Sequence, residues 1–153
     1  MWLFGVVALG ALFLLKKRDR LSKHFTLEQL TASQTAKERR IPNDPNPAQI
    51  ENLRSLATHT LDPLFSLIGP FQLTSGFRSA QLNQAVGGIA NSKHLLGKAV
   101  DLRSTRYPPA EIVLLIQQTG IPYDELIAYS GHVHLAVNGS GYSGSGRSGG
   151  RSF

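Results

Sequence analysis

The chain has 153 residues, of which 41% are hydrophobic, so it can form one domain with short appendages. It contains no cysteine, which excludes disulfide bonds and a thiol nucleophile. The net charge of +6 arises at the two ends: residues 16–23 contribute +4 and the C-terminal tail +2, while residues 25–138 hold nine basic and nine acidic side chains. Because nucleic-acid binding needs a basic stripe on the folded part, we expect no nucleic-acid partner.

The N-terminal stretch Trp2–Leu15 has fourteen residues without a charged side chain. As a helix it would be about 21 Å long at ~1.5 Å per residue, which is shorter than the ~30 Å hydrocarbon core of a bilayer. A signal peptide is the alternative, but the basic residues follow the apolar run and no small-residue cleavage site comes after it. We therefore predict an uncleaved anchor over residues 1–23, helped by snorkelling of Lys16 and Lys17, and a membrane-anchored protein.

Residues 24–138 are predicted to form the folded domain, which begins with two helices. The segment Thr26–Gln29 is a capping box and predicts a helix that runs to about Arg39. Asn46–Pro47 is typical of the start of a second helix, with asparagine as cap and proline at the first helical position. Pro63 is expected to kink or end that helix.

The next predicted element is the strand Phe71–Ser75, which leads directly to Arg78. A short helix is expected over 79–86 and a longer one over 108–118. Arginine is most often a surface residue. At the end of a strand, however, its planar guanidinium could bind a substrate carboxylate or polarise a scissile carbonyl, so we place Arg78 in the site.

Two further strands carry the candidate metal ligands. After a turn that Gly97 permits, residues 99–103 alternate so that Asp101 faces away from the core. Residues 132–137 alternate with His132 and His134 on one face. If these strands are antiparallel neighbours, Asp101 and His134 meet, and His94 completes the set from the preceding loop. Two imidazoles and a carboxylate are zinc donors, and a catalytic zinc site needs only three protein ligands.

These residues also carry a resemblance. The pattern Ser92-x-His94-x-x-Gly97-x-Ala99-x-Asp101, followed by His132-x-His134, resembles the D-alanyl-D-alanine carboxypeptidase family of zinc peptidases, which includes phage endolysins and shares its zinc-binding fold with the Hedgehog signalling domain. Other segments resemble the same family in the same order: Phe25–Leu30, Asn52–Leu56, Thr74–Ser79 and Leu82–Gly88.

The resemblance implies an α+β fold, with a small antiparallel sheet and helices packed on one side. It implies one Zn²⁺ ion held by His94, Asp101 and His134. It also implies a peptidoglycan peptide as substrate. Arg78 matches a family arginine that contacts substrate.

The general base is where the sequence departs from the family. The family carries a glutamate a few residues before the last histidine, but here that position falls near Tyr129. Three residues could replace it. His132 shares a strand face with His134 and is the preferred candidate. Asp124 matches a family aspartate and is either catalytic or structural. The direction of Glu125 depends on the strand register.

The C-terminal segment 139–153 is rich in glycine and serine and predicts a flexible tail. Two functions follow for the whole chain. The first is a membrane-tethered zinc peptidase that hydrolyses peptidoglycan stem peptides, as a carboxypeptidase or as an endolysin-type endopeptidase, in the cell envelope or a virion membrane. The alternative is a catalytically weak or inactive zinc-binding module that binds wall peptide or a protein partner.

Overall fold

The computed structural model describes residues 19–138. Within that part of the chain, six α-helices form: α1 Leu27–Thr31, α2 Gln34–Arg39, α3 Pro47–Leu56, α4 Asp62–Ile68, α5 Ala80–Ala85 and α6 Pro109–Thr119. A π-helical turn, Ala57–Leu61, joins α3 to α4, and a 3-10 turn, Lys93–Leu96, precedes the second strand. The predicted tail over 139–153 lies outside the described residues.

The two predicted helix starts are confirmed, but the first predicted helix is divided. Thr26 and Gln29 form the expected capping box at α1. Ala32 is then extended, and the side chain of Ser33 accepts a hydrogen bond from the backbone of Ala36, which starts α2. A continuous helix to Arg39 was the wrong prediction, because Ser33 offers the backbone a new cap in place of helical hydrogen bonds.

The helix that starts at Asn46 passes Pro63 without ending there. Proline cannot donate the backbone hydrogen bond that an α-helix requires. The π-helical turn just before Pro63 lets the helical chain continue past the proline. In this turn the backbone N–H of Asp62 bonds to the carbonyl of Ala57, five residues back. Pro63 then occupies the first turn of α4, where its missing donor costs nothing.

The sheet has four antiparallel strands: β1 Gln72–Ser75, β2 Ala99–Arg103, β3 Glu125–Ala128 and β4 Val133–Ala136. Their order is β1-β2-β4-β3, so β2 and β4 lie at the centre. In the register of this central pair, Asp101 lies opposite His134 and Val100 opposite Leu135. The predicted α+β fold with a small antiparallel sheet is confirmed.

The apolar face of the central strands belongs to the core. Val100, Leu102, Val133 and Leu135 are fully buried and belong to one cluster with side chains of the long helices. These helical members are Leu53, Leu56, Leu61, Leu64, Ile68, Ile112 and Ile116. Because side chains alternate along a strand, this packing directs Asp101 and His134 to the opposite face of the sheet.

The prediction of a membrane-anchored protein is wrong for the part of the chain that the structure describes. Among residues 19–138, no helix is long and apolar enough to cross a bilayer. The longest continuous helical stretch, 47–68, carries Glu51, Arg54 and Asp62. The predicted anchor over 1–23 falls largely on residues 1–18, which lie outside the described residues.

Candidate active site

Three predicted metal ligands converge on the face of the sheet opposite the core. One donor atom from each of His94, Asp101 and His134 lies within 4.8 Å of the other two. The Nδ1 atom of His134 is 2.9 Å from Oδ1 of Asp101, and the Nε2 atom of His94 is 3.4 Å from the same oxygen. The structure therefore brings together the carboxylate and the two imidazoles that sequence reasoning selected.

His94 is oriented by the backbone of the loop after β1. Its Nδ1 atom lies 2.7 Å from the carbonyl oxygen of Gly76, which can only accept a hydrogen bond, so Nδ1 carries the proton. The other ring nitrogen, Nε2, faces Oδ1 of Asp101 at 3.4 Å. Gly97 ends the 3-10 turn in the left-handed conformation, with φ of 69°, and lets that turn approach α3 closely.

Asp101 is held from both sides. His134 and His94 face its Oδ1, while the Nη2 atom of Arg78 donates to its Oδ2 at 3.0 Å. The Nε atom of Arg78 donates to Oγ of Ser75 at 2.9 Å. Burial alone would raise the pKa of Asp101. Hydrogen bonding and electrostatic attraction involving His134 and His94 outweigh burial and hold that pKa well below the ordinary aspartate value.

His134 has a second carboxylate on its other ring nitrogen. The Nε2 atom lies 3.4 Å from Oε2 of Glu125, whose Oε1 is 3.1 Å from Nζ of Lys93. Burial of Glu125 would raise its pKa, but the hydrogen bond and charge of Lys93, followed by those of His134, lower it. The alternation of side chains along β3 is the sequence signal that could have indicated this contact. Ile127 lies opposite His134, and Glu125, two residues before Ile127, lies on the same face of the sheet as His134. Lys93 was missed altogether.

His132 lines a cleft of about 270 Å³ that also includes Asp101, one of the three candidate ligands. Arg78 and Ser75 also line this cleft. Its remaining walls come from the segment that joins α1 to α2, from β1 and from α5. The ring of His132 stacks on Tyr129 with centroids 4.8 Å apart. Tyr129 is the residue near which the sequence comparison placed the family's glutamate, and the structure shows it stacked on His132.

Asp124 is directed toward the end of β4. Its Oδ2 accepts from the backbone N–H of Asn138, and its Oδ1 accepts from the side-chain amide of Asn138 at 3.0 Å. Its backbone N–H donates to Ala136 at 2.7 Å. The sequence left a catalytic and a structural role open for Asp124. These contacts favour the structural role, in which Asp124 holds the segment that follows β4.

A larger cavity of about 670 Å³ lies elsewhere among the described residues. It is lined by α1, the strand β1 and the end of β2, and it contains none of the three candidate ligands. The placement of titratable groups therefore favours the smaller cleft over this larger cavity as the candidate site.

The residues present fit a zinc ion. Two imidazoles and one carboxylate are a donor set typical of catalytic zinc sites, which use three protein ligands and keep one position open. Metal-binding histidines almost always donate their second N–H to a carbonyl or a carboxylate. Here His94 has Gly76 and His134 has Glu125 in those places, at 2.7 and 3.4 Å.

Fold and site together define a domain with a candidate metal centre of the catalytic type on one face of an antiparallel sheet. The sequence model of the family described as Peptidase M15 matches residues 23–136, well over half of the chain. The protein therefore belongs to the Peptidase M15 family, the zinc D-Ala-D-Ala carboxypeptidase-like peptidases, as its motifs predicted. No curated protein matches the chain. Membership indicates a zinc peptidase that acts on peptidoglycan-like substrates.

Proposed function

We propose that this protein is a zinc-dependent peptidase that hydrolyses the stem peptides of peptidoglycan. The observation that carries the proposal is the cross-strand pair of Asp101 and His134, with His94 added from the 3-10 turn. Membership of the Peptidase M15 family supports the substrate class. One Zn²⁺ ion is the proposed cofactor, held by these three side chains.

A zinc ion supplies Lewis acidity to the scissile carbonyl and to the water that attacks it. The chain's own residues supply orientation and proton transfer. Arg78 uses two of its five N–H donors on Ser75 and Asp101, so it retains donors for a carbonyl or carboxylate of the substrate. We assign Arg78 to substrate binding in the cleft.

We assign proton transfer to His132. It lies in the same cleft as Asp101 and Arg78, whereas the carboxylates of Asp124 and Glu125 are engaged by Asn138 and by Lys93, respectively. A neutral imidazole in this place accepts the proton of the attacking water and returns it to the departing amine.

The bond that is cleaved distinguishes two forms of the activity. A carboxypeptidase releases free D-alanine from a stem peptide that ends in D-Ala-D-Ala. An endopeptidase of the endolysin type divides a cross-linked dimer of stem peptides and releases no single residue. Both substrates should be offered to the full-length protein, and the products identified by mass spectrometry.

The metal requirement is tested in the same assay with a chelator and with two histidine variants. His134→Ala removes a proposed ligand, whereas His59→Ala removes an exposed histidine of the π-helical turn, whose Nδ1 contacts the carbonyl of Ser55. We expect turnover in the wild type and His59→Ala, and none in His134→Ala or after chelation. Turnover that survives both chelation and His134→Ala would contradict the proposal.

A second function has one observation in its favour. The family's glutamate is expected near Tyr129 and is not found there, and the carboxylates of Asp124 and Glu125 are engaged by Asn138 and Lys93, respectively. A zinc-binding module without peptidase activity, which binds wall peptide or a protein partner, is consistent with that replacement. Stoichiometric zinc binding without release of new amino groups from either substrate would favour this alternative.

A further inference from the structure

His134 is unusual among the candidate ligands because both of its ring nitrogens face a carboxylate. Nδ1 is 2.9 Å from Oδ1 of Asp101, and Nε2 is 3.4 Å from Oε2 of Glu125. A neutral imidazole carries only one N–H, so the two carboxylates compete for a single proton. The outcome of this competition decides which nitrogen of His134 keeps a lone pair.

Only one outcome allows the metal to bind at the point where the ligands meet. If the proton is on Nδ1, it is donated to Asp101, and this nitrogen has no lone pair for a metal. If the proton is on Nε2, it is donated to Glu125, and Nδ1 is available beside Oδ1 of Asp101. The second shell of a metal site commonly fixes the histidine tautomer in this way.

We propose that Glu125, held in place by Lys93, is a positioning residue that selects the metal-binding tautomer of His134. The inference rests on the proposed zinc site and deepens it. Neither Glu125 nor Lys93 is a proposed ligand or base. Both act through His134, and their effect is on metal affinity rather than on the reacting atoms.

Lys93 is suited to this task by its place in the chain. It is the first residue of the 3-10 turn that carries His94, and its Nζ lies 3.1 Å from Oε1 of Glu125. Its side chain is only 18% exposed, so its charge is poorly screened by solvent. The ion pair therefore ties the edge strand β3 to the turn that supplies the first ligand.

The position of Glu125 argues against a role as general base. Its carboxylate lies at Nε2 of His134, whereas Nδ1, on a different edge of the ring, faces Asp101 and the other donors. Its second oxygen is engaged by Lys93. The remaining alternative is an ordinary surface ion pair, since the Glu125 side chain is 46% exposed, and such pairs contribute little.

The test uses the full-length protein and two readouts that do not depend on activity. Zinc affinity is measured by competition with a chromophoric chelator. The tautomer of His134 in the metal-free protein is measured by ¹⁵N NMR at about pH 8, where an ordinary imidazole is neutral.

We expect Glu125→Ala to weaken zinc binding by about 10–100-fold and to shift His134 toward the Nδ1–H tautomer. Glu125→Gln retains an acceptor oxygen and should recover much of both properties. Lys93→Met should weaken zinc binding in the wild-type background and have no further effect in Glu125→Ala, because Lys93 acts through that carboxylate.

The matched control is Glu51→Ala, which removes a glutamate from an exposed ion pair with Arg54 on α3. It should leave zinc affinity and the His134 tautomer unchanged. Wild-type affinity and an unchanged tautomer in Glu125→Ala would overturn the inference, as would equal losses from Lys93→Met in both backgrounds. A wild-type protein that binds no zinc would instead overturn the proposed function.

Discussion

Gly76 is the position where a single methyl group should damage both the fold and the metal site. An added Cβ would lie 2.8 Å from the carbonyl carbon of Leu30 and closer still to its oxygen. Carbon atoms in contact are ordinarily ~3.5–4.0 Å apart, so the backbone of α1 or of the loop must move by about 1 Å. That movement affects two hydrogen bonds: Phe77 N–H donates to the Leu30 carbonyl at 2.7 Å, and the Gly76 carbonyl accepts from His94.

The expected cost of Gly76→Ala follows from these contacts. Overpacking against a rigid neighbour costs about 1–3 kcal/mol, and a weakened backbone hydrogen bond adds about 1 kcal/mol. Reduced freedom of the unfolded chain offsets about 0.4–1 kcal/mol. We therefore expect a loss of about 2–3 kcal/mol, which corresponds to a fall in Tm of about 10 °C for a domain of this size. Zinc affinity should fall by about 10-fold or more, because His94 loses the acceptor that orients it.

Urea and thermal unfolding of the metal-free protein, followed by circular dichroism, measure the first effect. Gly131→Ala is the matched control, since a Cβ there meets nothing within 4 Å and the residue does not have a positive φ. Its stability should stay within about 0.5 kcal/mol of wild type. Equal unfolding midpoints for Gly76→Ala and Gly131→Ala would refute the reasoning.

Three further predictions concern the site. His132→Ala should lower kcat by about 10²–10⁴-fold with zinc stoichiometry unchanged, and turnover near the wild-type rate would exclude His132 as the base. Arg78→Lys should lower kcat/KM by about 10-fold or more, because an ammonium group cannot reproduce the fork that contacts both Ser75 and Asp101; an unaltered kcat/KM would exclude this role. The pKa of Asp101 in the folded state lies below its unfolded value of ~3.9. Ionised Asp101 therefore stabilises the metal-free fold above about pH 4. This stabilisation is lost as the pH falls through the folded-state pKa. Urea midpoints between about pH 5 and pH 2 should fall more steeply in wild type than in Asp101→Asn, and parallel slopes would contradict the pKa assignment.

Sequence patterns predicted the parts of the fold that depend on local chemistry. The cap at Thr26 and the cap at Asn46 need only neighbouring residues, and both occur. Alternation along the strands was also sufficient to place Asp101 and His134 on one face. Their direct pairing then required only that the two strands be antiparallel neighbours.

The features that sequence reasoning missed depend on contacts between distant segments or on competing local choices. Ser33 could have continued a helix or capped a new one, and the local pattern does not decide between them. The direction of Glu125 depends on the β3–β4 register, and its ion pair with Lys93 joins residues 32 positions apart. The membrane prediction relied on the apolar composition of the N-terminal stretch, whereas the described helices are short or carry charges.

The central claim is that one zinc ion is held jointly by His94, Asp101 and His134. The most direct measurement is a crystal structure of the zinc-loaded protein with diffraction data collected at the zinc absorption edge. The account predicts one anomalous peak about 2.0–2.2 Å from Nε2 of His94, Oδ1 of Asp101 and Nδ1 of His134. A zinc-loaded crystal with no peak among these atoms, or with its only peak at other residues, would contradict it.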